Sequence, residues 1–451
     1  MNVPTRIGRT FDALSIYNYR VFWLGQLISI SGTWMQTTAQ AWLVLKLTNS
    51  PVALGTVTLL QFLPITLLTL FGGVFADRLP KRAVLLCTQS VAMAQALVLA
   101  VLVMTGTVHL WQIYGLALLL GIVNAFDNPT RQAFVSELVG TDHLQNAVAL
   151  NSSLFNAARV VGPALGGVVI ATLGLGQTFL LNGLSFLPML GGLLIMRARD
   201  FRPTAHPRSG NVFRQVGEGI RYAIGAPDVL VIMLTMAVVG TFGYNYNTIL
   251  PLLARYALHA NALGLGLLTS AVGVGSLAAA LAVAARRSTS EQTLLGAALV
   301  FSALLVLVGL SSWLPATMVL LGAMGVSGIV FTTGANTRLQ MNTPAELRGR
   351  VLSLYFLLFA GTTPIGGFLV GALAARVGVS TTVVVMGTLC LVGVVAATVY
   401  AWRTRAARST WARLTGANAA GAPGAFLASP ITAVTGSPAS GARDVEMTAA
   451  R

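Results

Sequence analysis

The chain has 451 residues, of which 55% are hydrophobic and only 9% charged. A soluble domain carries about 25% charged residues, so a fold facing water all round is excluded, as are disordered, collagen-like and disulfide-stapled chains. The 28 Lys and Arg against 12 Asp and Glu give a net charge of +16, which suggests nucleic acid, while a mean hydropathy of +0.78 suggests lipid. Cys87 and Cys390 both fall inside apolar runs, so neither reads as a metal ligand and a disulfide between them is not expected.

Apolar stretches approaching or exceeding the ~20 residues that cross a bilayer recur along the chain. They fall near 21–45, 51–75, 83–104, 109–127, 146–172, 177–197, 228–251, 262–285, 293–311, 314–335, 348–374 and 381–402, numbered here as spans 1 to 12. None alternates in polarity as barrel strands do, so the expected fold class is all-α and integral to the membrane, with two six-helix bundles. The expected organisation is an N-terminal segment 1–20, a first bundle 21–197, a central loop 198–227 that is partly helical around 212–224, a second bundle 228–402 and a disordered tail 403–451.

Charge resolves the conflict between pI and hydropathy. Arg and Lys crowd alternate loops, as in Arg78, Lys81 and Arg82, Arg131, Arg197 to Arg221, and Arg338 to Arg350, whereas the opposite loops hold only Lys46, Arg255 and Arg376. The positive-inside rule then predicts cytoplasmic termini and an even span count, and no folded basic domain exists to bind nucleic acid. No small-residue cleavage site follows the first apolar run, so span 1 is expected to be retained.

The two halves echo each other. Thr130-Arg131 recurs as Thr337-Arg338, and Pro163-Ala-Leu-Gly166-Gly167 recurs as Pro364-Ile-Gly366-Gly367 in spans 5 and 11. Capping signatures, Asp142 with Gln145 and Thr343 with Glu346, are expected to open spans 5 and 11. Parallel six-helix repeats suit a carrier that rocks two rigid halves about one site.

Between spans 2 and 3 the chain reads Gly73-Val-Phe-Ala-Asp77-Arg78-Leu-Pro80-Lys81-Arg82. This resembles the loop signature of the major facilitator superfamily, with Pro80 where that signature has a second Gly. The resemblance implies a cytoplasmic gating latch, in which Gly73 allows close helix approach and Asp77 caps the start of span 11 near Thr343. Arg131 and Asp127 would complete its charge relay, beside Arg78, Lys81 and Arg82; the alternative is a plain basic loop that sets topology. Gly162-Pro163-Ala-Leu-Gly166-Gly167 is similar to the hinge motif of superfamily antiporters, and close packing on span 8, at Gly273 and Gly275, is the simpler reading.

Further matches run in order: Phe22-Trp23-Leu-Gly25-Gln26, Gly32-Thr-Trp34-Met-Gln36, Gln61-Phe-Leu-Pro64, Asn128-Pro129-Thr-Arg131-Gln132 and Asn146-Ala-Val-Ala-Leu-Asn151. They resemble the bacterial secretion-effector branch of the superfamily, which includes enterobactin exporters and macrolide efflux pumps. That resemblance implies an inner-membrane, multi-pass secondary transporter that exports drugs, metabolites or siderophores by alternating access against protons; a monomer is expected. A dedicated exporter of one siderophore or metabolite is the alternative, and a membrane enzyme or a transport-dead receptor fits less well. No cofactor is expected, no metal site and no catalytic residue, and no phosphate-binding Gly-x-x-x-x-Gly-Lys-Ser/Thr loop is present to drive it with ATP.

In this superfamily spans 1, 4, 7 and 10 line the cavity. Span 1 carries Gln26, Ser29, Thr33, Gln36 and Gln40 at steps of three and four, with Trp34 beside them. Span 4 offers Tyr114, Asn124 and Asn128, and span 7 offers Tyr244, Asn245, Tyr246 and Asn247. Amides and aromatics without fixed charge suit a small-molecule cargo that must also leave, although the same residues also serve helix–helix bonding. Arg159 is a charge well inside a span and is either a cargo contact or a support for the hinge. All twelve acids fall in loops, tails or span ends; Asp127, at the expected end of span 4, is the best candidate for the proton carrier.

Overall fold

The computed structural model describes residues 11–202, 212–284 and 290–415, with the side chains of 69–78, 212–216, 284 and 405–415 outside that description. Within it the chain is helical and contains no strand. Spans 1 to 6 are Tyr17–Thr48, Pro51–Arg78, Lys81–Met104, Leu110–Val139, Leu144–Thr172 and Leu175–Ile195. A connecting helix, Val212–Gly225, leads to span 7, formed by Pro227–Phe242, Tyr246–Leu252 and a π turn Leu253–Ala257. Spans 8 to 10 are Ala262–Ala284, Glu291–Leu310 and Leu314–Asn342; span 11 is Ala345–Gly361 with Thr363–Val377, and span 12 is Val379–Thr415.

Eleven of these helices are long and apolar enough to cross a membrane. Span 1, at 32 residues, has the length, but Gln26, Ser29, Gln36 and Gln40 dilute its hydropathy. It packs against spans 5 and 6 inside the first bundle, so protein rather than lipid receives those groups. Several helices outrun their expected ends. Span 4 continues to Val139 through Pro129, and span 12 continues to Thr415, past the expected boundary at 402. The hydropathy of a sequence falls at the first polar residues, whereas a helix continues wherever those residues find partners. Residues 416–451 of the expected tail lie outside the described residues.

Tight turns on one end of the bundle, here the far side, join the spans. Span 1 stops at Asn49, whose left-handed backbone (φ 49°) returns its N–H to the Leu45 carbonyl; span 2 then starts on Pro51, with Ser50 Oγ accepting from the Ala53 N–H. Gly174, at φ 102°, makes the equivalent turn between spans 5 and 6. The opposite end, the near side, carries Asp12, His143 and Lys81. Neither expected capping box there forms. Span 5 has His143 at its N-cap and span 11 has Pro344, so Asp142 and Thr343 lie one position too early, and no side chain caps either helix.

Two spans break. Span 7 is interrupted at Gly243–Asn245, where a continuous helix was expected. The Thr241 carbonyl accepts from Asn245 Nδ2 at 2.7 Å, which supplies a partner for the interrupted backbone. Span 11 is interrupted at Thr362, because Pro364 has no N–H to offer the Ala360 carbonyl; Thr66 Oγ1 of span 2 takes that place at 3.4 Å.

The repeated Pro/Gly motifs sit on matching seams. A Cβ on Gly166 would lie 3.1 Å from the Met35 carbonyl of span 1, and one on Gly366 would lie 2.2 Å from the Thr241 carbonyl of span 7. A Cβ on Gly167 would lie 2.9 Å from the Ala262 carbonyl of span 8, and one on Gly367 2.6 Å from Thr58 of span 2. Spans 1 and 7, 2 and 8, and 5 and 11 each differ by six, so the motifs are used in the same way by two halves related by a six-helix repeat. Gly273 packs on Val160 of span 5 as expected, but Gly275 packs on Gly322 of span 10; Gly266 is the residue that meets Pro163.

Among the described residues, the bonds that join the halves run from mid-helix to the far side. They are Thr66 to Ala360, Ser270 Oγ to the Val160 carbonyl, Thr58 to Thr248, and Arg255 and Tyr256 to Asn49.

Candidate functional site

A cavity of about 240 Å³ lies at the centre of the bundle, enclosed mainly by the first half and touched by Asn247 of the second. Span 1 contributes Ser29, Thr33, Trp34 and Thr37, span 4 contributes Asn124, Asp127, Asn128 and Arg131, and aromatic faces come from Phe62, Phe155 and Phe186. Three expected cavity residues, Thr33, Trp34 and Asn124, therefore meet here with Asn247. A smaller void lined by Trp34, Thr37, Tyr246, Asn247 and Thr269 continues toward the far side.

Asp127 is the chemical centre of this wall and is only 3% exposed. It lies roughly 26 Å along span 4 from Leu110, at 1.5 Å per residue, with three further helical turns beyond it. The expectation of an acid at the span's end is thus corrected to a carboxylate buried within a helix. Its Oδ2 accepts from Arg131 Nε at 3.0 Å and Nη2 at 2.7 Å, one turn along the same helix. Its Oδ1 accepts from Thr88 Oγ1 at 2.7 Å and Gln89 Nε2 at 2.8 Å, both on span 3. Four donors thus hold a charge that would otherwise be costly in a low-dielectric interior. Thr88 and Gln89 were not anticipated; their position facing span 4 is a tertiary fact with no sequence signal beyond polarity in an apolar run.

The other expected cavity amides have different tasks. Gln36 is buried in the first bundle, donating to Gln95 Oε1 at 3.0 Å and accepting from Asn182 Nδ2 at 2.6 Å. Gln26 and Gln40 are buried away from the lining residues. The stripe on span 1 is therefore split: its turn at Ser29 and Thr33 faces the cavity while Gln36 faces spans 3 and 6. In the second half, Asn245 braces the break in span 7, and Tyr244 donates to the Gly328 carbonyl at 2.8 Å and packs on Phe301 and Phe359. Tyr114, at the far end of span 4, packs against the core. Replacing Gln36 by Leu strands one polar group on each partner. It is expected to cost about 1–3 kcal/mol of stability, read as a lower thermal midpoint in detergent, with cargo affinity of the folded protein unchanged.

Arg159 lies midway along span 5 with its guanidinium 5.4 Å from the ring centroid of Trp34, inside cation–π range.

Of the expected latch, Lys81 Nζ binds Glu137 at 2.5 Å and Arg82 Nη2 donates to the Leu194 carbonyl at 2.9 Å. Both tie the start of span 3 to the near ends of spans 4 and 6, within the first bundle. Gly73, Asp77 and Arg78 belong to the helix Pro51–Arg78, but their side chains lie outside the described residues. Of the expected hinge, Gly162 and Gly166 give span 1 its close approach, while Pro163 and Gly167 give span 8 its own.

Two six-helix halves that share a seam on one side and a central polar cavity define a membrane transporter fold. Comparison with known proteins bears this out. The family model described as "Transmembrane secretion effector" matches residues 9–416. The staphyloferrin A transporter of Staphylococcus aureus is 25% identical over 82% of this chain and 94% of its own. The multidrug efflux pump Tap of Mycolicibacterium fortuitum is 26% identical over 81% of this chain and 91% of its own. A crystal structure of a POT family transporter in complex with a thioalcohol-conjugated peptide superposes with a TM-score of 0.69, at 10% identity, over 85% of this chain and 96% of that one. The chain belongs to the transmembrane secretion effector family, a branch of the major facilitator superfamily whose members are transporters and not enzymes.

Proposed function

We propose that this protein exports small organic molecules across a bacterial cell membrane by alternating access, in exchange for protons, as a monomer with both termini in the cytoplasm. The observation that carries the reading is a cavity at the centre of the bundle whose bonded seam between the halves runs only toward the far side among the described residues. Such an arrangement suits one of two alternate states, loaded from the near side, where the basic loops lie. Relatives that are named as multidrug, macrolide and siderophore transporters support export of organic cargo.

Asp127 supports the proton step. It is a buried carboxylate within the cavity wall, and protonation would release Arg131 and loosen the contact between spans 3 and 4. Arg131, Lys81, Arg82 and the 73–78 segment would form the near-side latch, and the Gly162–Gly167 segment the hinge on which spans 5, 1 and 8 slide. Asn124, Thr33, Trp34 and Asn247 would touch the cargo.

The reading is tested in inverted vesicles holding the purified protein. A panel of drugs and siderophores is added under an imposed pH gradient while internal pH is followed. Uptake of one or more compounds with proton release from the lumen is the expected result. Uptake that is indifferent to the gradient would remove the proton step, and no uptake of any compound by folded protein would remove export.

A further inference from the structure

Four basic residues of the described chain are paired with acids. Lys81 binds Glu137, Arg131 binds Asp127, Arg338 binds Glu291 and Arg350 binds Glu218. Arg159 and Arg255 have no carboxylate within salt-bridge distance among the described residues. Each stacks instead on a tryptophan of span 1: Arg159 on Trp34 at 5.4 Å and Arg255 on Trp42 at 5.8 Å. The two tryptophans are eight residues apart on one helix, a rise of about 12 Å. Trp34 lines the central cavity, and Trp42 with Arg255 and Lys46 lines a cleft of about 1000 Å³ that opens on the far side. The far-side loops carry no Asp or Glu at all.

The sign of the cavity follows from this arrangement. Its wall holds a single carboxylate, and Asp127 is fully engaged by four donors, so a cationic cargo would first have to break those bonds. Arg159 is not itself a lining residue but stands over Trp34, which is; it has spent none of its guanidinium on an acid, and a cation in low-dielectric surroundings gains most from an incoming anion. A guanidinium placed over an indole can still offer N–H groups to a carboxylate, sulfonate or phosphate fork, and those of Arg255 otherwise reach only the amide oxygen of Asn49. Phe155, Trp34 and Tyr246 offer faces for an apolar body next to it.

We propose that the cargo is an amphipathic organic anion, received where Arg159 stands over Trp34 of the central cavity and passed outward to Arg255 on Trp42. The proposal rests on the export reading above and narrows it to a substrate class. Among the described residues no carboxylate lies between the two stations, and Asp127 of the central cavity is neutralised by Arg131, so an anion meets attraction at both.

The test uses the full-length protein in lipid nanodiscs and three probes of one skeleton: 2-naphthoate, 2-naphthamide and 2-naphthylmethylammonium. Binding is measured by calorimetry. The expected order is naphthoate at least tenfold tighter than naphthamide, with the ammonium weakest. Arg159→Gln should remove the preference for naphthoate while the naphthamide affinity changes less than twofold; Arg159→Lys should keep part of it. Equal binding of naphthoate and naphthamide by the unmodified protein, or binding of none of the three, overturns the proposal. So does an undiminished preference in a folded Arg159→Gln or, should that variant not fold, in a folded Trp34→Leu. Because binding needs no transport, the two readings fail separately. An Arg159-dependent preference without vesicle uptake removes export and keeps the site, and vesicle uptake without any preference for the anion removes the site and keeps export.

Discussion

Asp127→Ala is expected to abolish transport and to lower the thermal midpoint sharply, and Arg131→Ala is expected to do the same. Each single change leaves one buried charge without its partner, and breaking a buried pair in this way costs on the order of 3–5 kcal/mol. Asp127 also holds Thr88 and Gln89, so its loss frees two more donors on span 3. The double variant Asp127→Ala with Arg131→Met removes both charges and fills part of the space. Stability should recover toward that of the unmodified protein, because an ion pair replaced by apolar side chains is close to neutral. Proton-linked export should not recover, since the carboxylate is gone. The two outcomes separate a proton carrier from a purely structural pair. Thermal midpoints in detergent and pH-gradient-driven uptake in vesicles read them. Gradient-driven export by the double variant at the unmodified rate would show that Asp127 holds the bundle together and nothing more.

The architecture was legible because apolar runs of membrane length and alternating loop charge are written residue by residue. The chemistry of the site was less so, for identifiable reasons. Asp127 looked terminal because hydropathy drops at Asp127-Asn128-Pro129, yet the i,i+4 pairing with Arg131 carries the helix onward, and two donors on span 3 complete it. The stripe on span 1 has perfect helical spacing, but spacing alone does not say which neighbour each residue meets. A helix packed on several sides sends Gln36 to Gln95 and Asn182 and, of that stripe, only Ser29 and Thr33 to the cavity. The Tyr244 to Asn247 run suggested a polar face; the structure instead breaks the helix there, so that Asn245 turns inward to the backbone and Asn247 reaches the cavity. Arg159 stood out in the sequence as a charge inside a span. What the sequence did not disclose was Trp34 under it and the second Arg–Trp pair further out.

Gly167→Leu and Gly266→Leu are expected to prise open the far side and to lower export more than tenfold. A Cβ on Gly167 would sit 2.9 Å from the Ala262 carbonyl oxygen and 3.0 Å from the Leu263 Cα, and one on Gly266 would sit 2.6 Å from the Pro163 carbonyl oxygen. All of these are backbone atoms, so no side-chain rotation relieves the clash and spans 5 and 8 have to separate. The same holds across the related seam, where a Cβ on Gly371 would lie 2.5 Å from the Pro51 carbonyl oxygen of span 2. On the proposed alternating-access reading these contacts belong to the state with the far side closed, so a bulky residue there is expected to penalise that state and leave its alternative free. Gly191 supplies the control, because a Cβ there meets nothing within 4 Å and Gly191→Leu should export normally. The direct reading uses Thr269→Cys, which lines the small void beside Tyr246 and Asn247, in a chain carrying Cys87→Ser. A membrane-impermeant maleimide added from outside should label that cysteine in the Gly167→Leu chain far faster than in its parent. Equal labelling with normal export would mean that the glycine seam merely packs the helices and does not close the path.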